Sequence, residues 1–226
     1  MALLASASTD VAEEERSSMP DSALDRLRLH VGGMDNYLLD QLLRGRIRPA
    51  ARVFEAGCGG GRNLAYFLRA GHQVCAVDPD PSAIETVRRL AAKLAPETPA
   101  ANFRAERVET SSFREHSADL VISCALLHFA RDDGEFRALL DASWRILAPG
   151  GLFFCRLAST VGMEGRFEPI EGRRYLQPDG DERYLVDEPM LIELTAELGG
   201  TLAEPIKTTV VQDRRCMTTW VVQKSG

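Results

Sequence analysis

Val53-Phe54-Glu55-Ala56-Gly57-Cys58-Gly59-Gly60-Gly61-Arg62-Asn63 is an apolar run that enters a glycine turn and leaves with helical spacing through Leu64-Ala65-Tyr66-Phe67-Leu68. A buried strand, a tight turn and a helix N-terminus in that order form a ligand-binding unit. The dinucleotide fingerprint G-x-G-x-x-G needs a third glycine where this chain has Arg62. The glycines here fall instead at Gly57, Gly59 and Gly61, with Glu55 two residues before the first. The next apolar run, Gln73 to Val77, ends at Asp78, a carboxylate placed to hold the two hydroxyls of a ribose.

Glu55-x-Gly57-x-Gly59-x-Gly61 followed by a strand-end Asp78 resembles the first two motifs of the class I S-adenosylmethionine-dependent methyltransferases. Leu147-Ala148-Pro149-Gly150-Gly151, ahead of an apolar strand, is a further similarity to that family. The resemblance covers about residues 30–223. It implies S-adenosyl-L-methionine as cofactor and an α/β, Rossmann-like doubly wound seven-stranded sheet, mostly parallel with one antiparallel strand near the C-terminus. The activity it implies is methyl transfer by in-line displacement to a heteroatom (S, Se, N or O) of a small-molecule acceptor. The Gly57 to Asn63 run, with Ala70-Gly71-His72-Gln73-Val74, is also similar to the tellurite-resistance and thiopurine-type small-molecule methyltransferases, a likeness resting on about 25 residues. Two other readings stay open: a non-catalytic S-adenosylmethionine-binding sensor or partner protein, and a methyltransferase acting on protein or tRNA.

A chain of 226 residues suits one domain with a sheet covered on both faces. Its net charge of -6 argues against general nucleic-acid binding, which needs a basic face for phosphates. The five cysteines form no C-x-x-C pair and sit mostly in apolar runs, which fits reduced core residues in the cytoplasm. Four dispersed histidines give no metal-ligand spacing. No apolar run approaches the roughly 20 residues that cross a bilayer, so no membrane partner is expected. The sequence carries no signal of oligomeric state.

Residues 1–20 read as a mobile tail and 21–226 as the methyltransferase domain. Within it, residues 21–46 hold two helical stretches around Gly32-Gly33 and form a candidate lid, with Tyr37 as a cofactor-side residue by resemblance. Apolar strands are expected near 73–77, 102–105, 119–125 and 152–158, with helices from Ala83 to Leu94 and from Asp132 to Leu147. Residues 160–186 break the rhythm and read as an insert over the substrate side. Asp179-Gly180 inside it predicts a two-residue hairpin turn that sets Tyr175 opposite Tyr184. A last helix near 188–198 and two strands near 203–211 and 215–223 complete the order.

By resemblance, the Gly57 to Gly61 turn, Cys58 and Asn63 included, takes the aminocarboxylate end of the cofactor on backbone groups, and Glu55 orders that turn. Asp78-Pro79 takes the ribose. The adenine site falls at Glu106-Arg107-Val108, where either Arg107 or, with a one-residue slip, Glu106 stands at the family's acidic position and Val108 offers a backbone N–H. Cys124 lies on the methionine side. His128 is a candidate base for a nucleophile near neutral pH, or a satisfied structural histidine. Arg156, a charge inside an apolar strand, either meets an anionic substrate or pairs with Glu164, Glu168 or Glu171.

Overall fold

Strand β1 (Arg52–Ala56) is buried on both faces because its apolar side chains alternate between two cores. Val53 packs in one cluster with Leu120 and Phe154, and Phe54 in the other with Val121 and Phe153. The computed structural model describes residues 22–226, and the expected tail at 1–20 lies outside the described residues. Around β1 stand β2 (Gln73–Val77), β3 (Phe103–Arg104), β4 (Ala118–Cys124), β5 (Leu147–Ala158), β10 (Lys207–Val211) and β11 (Arg215–Lys224), in the spatial order β10-β11-β5-β4-β1-β2-β3. An eighth strand, β9 (Gly200–Leu202), pairs with β11 and was not expected. Strand β11 runs against β5, β9 and β10, so one strand of the sheet is reversed.

Helices cover both faces. The first side carries α1 (Ala23–Val31), α2 (Asn36–Leu43), α3 (Leu64–Arg69) and α4 (Pro81–Leu94), through Leu38, Phe67 and Val87 among others. The second carries α5 (Asp133–Ile146) and α6 (Glu188–Glu197), through Phe136, Leu140 and Leu191. Helix α4 starts two residues before the expected Ala83, because Asp80 accepts the Ser82 N–H at 2.8 Å and Pro81 suits the first helical position.

Two expectations fail in the second half of the chain. Strand β5 begins at Leu147 rather than Leu152, since Ala118 pairs with Leu147 before the Pro149-Gly150-Gly151 irregularity shifts the register. In the insert, β6 (Glu168–Glu171), β7 (Arg174–Leu176) and β8 (Glu182–Tyr184) form a separate three-stranded sheet. The β7–β8 turn is one residue longer than expected: Gln177 N–H donates to Asp181 O, and Gly180 sits at φ 91°. That slip pairs Tyr175 with Arg183 and Tyr184 with Arg174, so the two tyrosines do not face each other. Tyr184 turns inward, stacks on Phe136 at 4.7 Å and donates to Asp133 at 2.7 Å.

The N-terminal ends of β1 and β4 are joined by a fork: Arg52 donates from Nε and Nη2 to the two carboxylate oxygens of Asp119, at 3.1 and 2.8 Å. That contact lowers the Asp119 pKa from 3.8 to about 2. A carboxylate depressed in the folded state stabilises it above the unfolded pKa and loses that contribution as pH falls through the folded one. Asp119→Asn is expected to cost ~1–2 kcal/mol in urea unfolding at pH 7. The gap from the parent chain should narrow between about pH 4 and pH 2.

Candidate functional site

The chain direction reverses across the sheet between β1 and β4, and at such a switch point a crevice opens beyond the carboxyl ends of the strands. Two cavities lie there. The first, about 290 Å³, is lined by Gly57 after β1, Asp78 and Pro79 after β2, Arg107 and Val108 after β3, and Leu126 after β4.

Of the glycine turn, Gly57 lines this cavity, while Gly59 and Gly61, both expected at the cofactor, do not. Gly57 has φ 67°, and a Cβ there would come within 2.9 Å of Leu126 Cδ1. Gly61 has φ 77°, and its Cβ would meet Val87 Cγ2 at 3.0 Å, so this glycine lets α4 pack against the turn. Four of the turn amides, those of Gly57, Cys58, Gly59 and Gly61, are engaged within the protein, while no acceptor meets the Gly60 amide among the described residues. Gly57 and Cys58 both donate to Val77 O, at 2.9 and 3.1 Å, and Gly61 donates to Cys58 O. Gly59 donates to Asp78 Oδ2 at 2.8 Å, while Asp78 Oδ1 accepts from Asp80 N–H. The strand-end carboxylate is therefore fixed to the turn beside the cavity.

Below the turn lies Glu55, 2% exposed. Its Oε1 accepts from Asn63 Nδ2 at 2.7 Å, and its Oε2 has no partner. Burial pushes its carboxyl up to about 8. Asn63, expected at the cofactor, is 1% exposed and lines neither cavity; its Oδ1 accepts the Asp35 N–H at 3.0 Å. Cys58 and Tyr37 also lie outside both cavities: Cys58 is buried, and the Tyr37 hydroxyl is held against Thr209 at 2.7 Å.

At the rim of the first cavity the two adenine-site candidates are both engaged. Glu106 accepts the Ser112 N–H and hydroxyl, and Arg107 donates to Glu109 and Glu135 at 2.6 and 3.0 Å. Val108 donates to no backbone carbonyl among the described residues, so its N–H is left for a ligand.

The second cavity, about 400 Å³, shares Phe129 with the first. Its walls come from the β4 and β5 ends, from Asp35 ahead of α2 and from Gln177 and Arg183 of the insert. Here Arg156 donates from Nη1 to Asp35 at 2.5 Å, not to Glu164, Glu168 or Glu171. None of those three pairs with it, whereas Asp35, the helix cap of α2, is held at the strand end by Asn63. Cys124 accepts from Arg62 at 3.0 Å, and burial pushes its thiol up to about 12.

His128 does not supply the expected base. It is 5% exposed, and its Nδ1 accepts the Ala158 N–H at 3.1 Å. Burial lowers its pKa to about 4, so the neutral ring keeps its proton on Nε2 and acts as a donor. Asp35, Arg62, Phe129, Gln177 and Arg215 reach this crevice without having been singled out in the sequence. For Asp35 the available signal was its place after Gly32-Gly33-Met34 at a helix start.

The first cavity and the adjoining turn fit a nucleoside with a charged tail. Asp78 and Val108 line the cavity, the Val108 N–H has no backbone acceptor among the described residues, and the unpartnered buried oxygen of Glu55, two residues before Gly57, suits a cationic amino group. Residues 54–155 match the methyltransferase domain family. An uncharacterized methyltransferase of Synechocystis sp. is 29% identical over 125 residues, 55% of this chain and 55% of that protein. The ubiquinone biosynthesis O-methyltransferase of Methylocella silvestris is 30% identical over 123 residues, 53% of this chain and 46% of that protein. The chain spans about half the length of the curated relatives it matches. Among solved structures, the 1,6-didemethyltoxoflavin-N1-methyltransferase of Burkholderia thailandensis, holding its substrate compound and S-adenosylhomocysteine, has a TM-score of 0.63 at 22% identity. That match covers 97% of this chain and 87% of the other. Strand order and crevice agree with the methyltransferase domain matched over residues 54–155, and the fold is that of the class I S-adenosylmethionine-dependent methyltransferases.

Proposed function

We propose that this protein transfers the methyl group of S-adenosylmethionine to a heteroatom of a small molecule held in the second cavity. The observation that carries this reading is the adjacency of two unlike cavities across Phe129, one lined by the Gly57 and Asp78 cradle and the other walled by the N-terminal segment and the insert. Bound in the cradle, the cofactor supplies an electrophilic methyl group on a sulfonium.

The protein's own part is to bind, align and exclude water. Asp78, already fixed by Gly59 and Asp80, orients a ribose through its remaining lone pairs. Glu55 Oε2 receives the ammonium, which draws the proton off a carboxyl that is neutral in the free protein. Phe129 and Leu126 separate the nucleoside from the acceptor. No side chain of the second cavity is both close and free to take a proton, since His128 gives its lone pair to Ala158 and Asp35 is paired with Arg156. The acceptor atom is therefore nucleophilic without help from the protein. A methyl acceptor of low molecular weight agrees with the ubiquinone-pathway and toxoflavin-type enzymes among the similar proteins. Five unpaired cysteines fit a reducing compartment, and no helix among the described residues is long and apolar enough to cross a membrane.

Two measurements test the cradle. Asp78→Asn keeps one acceptor oxygen for the turn, while Asp78→Ala keeps none. Both should weaken calorimetric binding of S-adenosylhomocysteine, Ala by about 10- to 100-fold and Asn by less. Affinity unchanged in Asp78→Ala would remove the ribose role. For Glu55, the folded protein holds its proton up to about pH 8 and the unfolded chain releases it near 4.5. Stability of the free protein attributable to this group therefore falls as pH rises across that window. Glu55→Gln should flatten that slope, raise stability near pH 8 by ~1–3 kcal/mol and abolish the proton release that accompanies binding at pH 7. An unaltered pH profile of thermal unfolding would contradict a neutral Glu55.

A further inference from the structure

The acids and bases of the second cavity are unequally used. Its carboxylates are engaged: Asp35 accepts from Arg156 and from the Tyr37 N–H, Asp181 from Arg183, and Asp179 from the Asp181 N–H. Its donors are not. Arg156 gives Nη1 to Asp35, and its buried Nε has no partner. Nε belongs to the long edge of the guanidinium, where two parallel N–H groups match the two oxygens of a carboxylate. Gln177 is 5% exposed, and its Nε2 has no partner either. The proton on His128 Nε2 is a third donor, because Nδ1 is occupied by Ala158. At the mouth, exposed Arg215 lines the cavity without an ion-pair partner among the described residues.

Buried donors left without acceptors are uncommon in folded proteins and mark a place for a ligand oxygen. The charge is also informative. Asp35 offsets Arg156 at 2.5 Å, so the cavity's uncompensated positive charge is small and suits a monoanion better than a doubly charged phosphate. Apolar wall remains at Phe129, Met217 and Ala158 for the body of such a molecule.

We propose that the second cavity binds the carboxylate of an acidic small-molecule substrate, with Arg156 and Gln177 as buried donors and Arg215 as the cation at the mouth. This rests on the reading of that cavity as the acceptor site and names the class of acceptor. Anchored there, the substrate reaches past Phe129 toward the first cavity with its other end.

Calorimetric titrations with benzoate, phenylacetate and 4-hydroxybenzoate, each against its carboxamide, and with inorganic phosphate, test this in the presence and absence of saturating S-adenosylhomocysteine. At least one carboxylate should bind about tenfold more tightly than its amide. Arg156→Lys keeps a cation for Asp35 but lacks the two-pronged edge, and Gln177→Leu removes the second donor. Each should abolish the preference while the melting midpoint and S-adenosylhomocysteine affinity stay unchanged. Arg215→Ala should weaken carboxylate binding about threefold and make it less sensitive to salt. Equal affinity for acid and amide, no binding by any of the carboxylates, a preference for phosphate, or retention of the carboxylate preference in both Arg156→Lys and Gln177→Leu would overturn the proposal. Carboxylate binding in a protein that fails to bind S-adenosylhomocysteine would instead overturn the methyltransferase reading and leave this site standing.

Discussion

Asn63 uses both ends of one amide to connect parts of the chain that are far apart in sequence. Its Nδ2 donates to Glu55 on β1, and its Oδ1 accepts from the backbone of Asp35, whose carboxylate meets Arg156 on β5. Glu55, Asn63 and Asp35 are all buried, so each polar atom in this chain needs the next one. Removing one partner would strand the others in an apolar interior, which costs more than the bond itself contributes. Strand β1 with its glycine turn, the N-terminal segment and the second cavity are therefore positioned by one continuous set of contacts. Arg62 adds to it by donating to Gly33 O and to Cys124, so the Gly61-Arg62-Asn63 step is a clamp on the N-terminal segment.

The two halves of the crevice carry opposite hydrogen-bonding character. The turn has four of its amides engaged, and the buried Glu55 beside it has a carboxylate oxygen left over, which suits a cation. The second cavity has its carboxylates engaged and amide, guanidinium and imidazole protons left over, which suits an anion. Phe129 stands between them, with Arg183 held over its ring at 4.7 Å. A sheet that brings five strand ends to one edge allows both environments within a single domain.

Local chemistry in the sequence was enough wherever neighbouring residues decide the outcome. The glycine turn, the Asp80 cap, the paired helices around Gly32 and the strand-end position of Asp78 are all set within a few residues of chain. The β7–β8 register was missed because one extra residue in the turn, with Gly180 in a left-handed conformation, reverses which side chains face inward. The partners of His128 and Arg156 were missed for a different reason. The Ala158 N–H that occupies the imidazole lies 30 residues away, and Asp35, which pairs with Arg156, lies 121 residues away.

By itself the sequence determined the alternation of strands and helices and the strand–turn–helix at Gly57 to Asn63, because periodicity and turn chemistry act over short range, while the single reversed strand and the cofactor came with the family resemblance. Only the tertiary structure decided which donors and acceptors remain free in the crevice. That balance depends on pairings between distant segments: Asp35 with Asn63 and Arg156, Cys124 with Arg62, and the insert folded over the ends of β4 and β5. A buried polar atom is defined by what it meets after folding, and no local pattern in the chain records that.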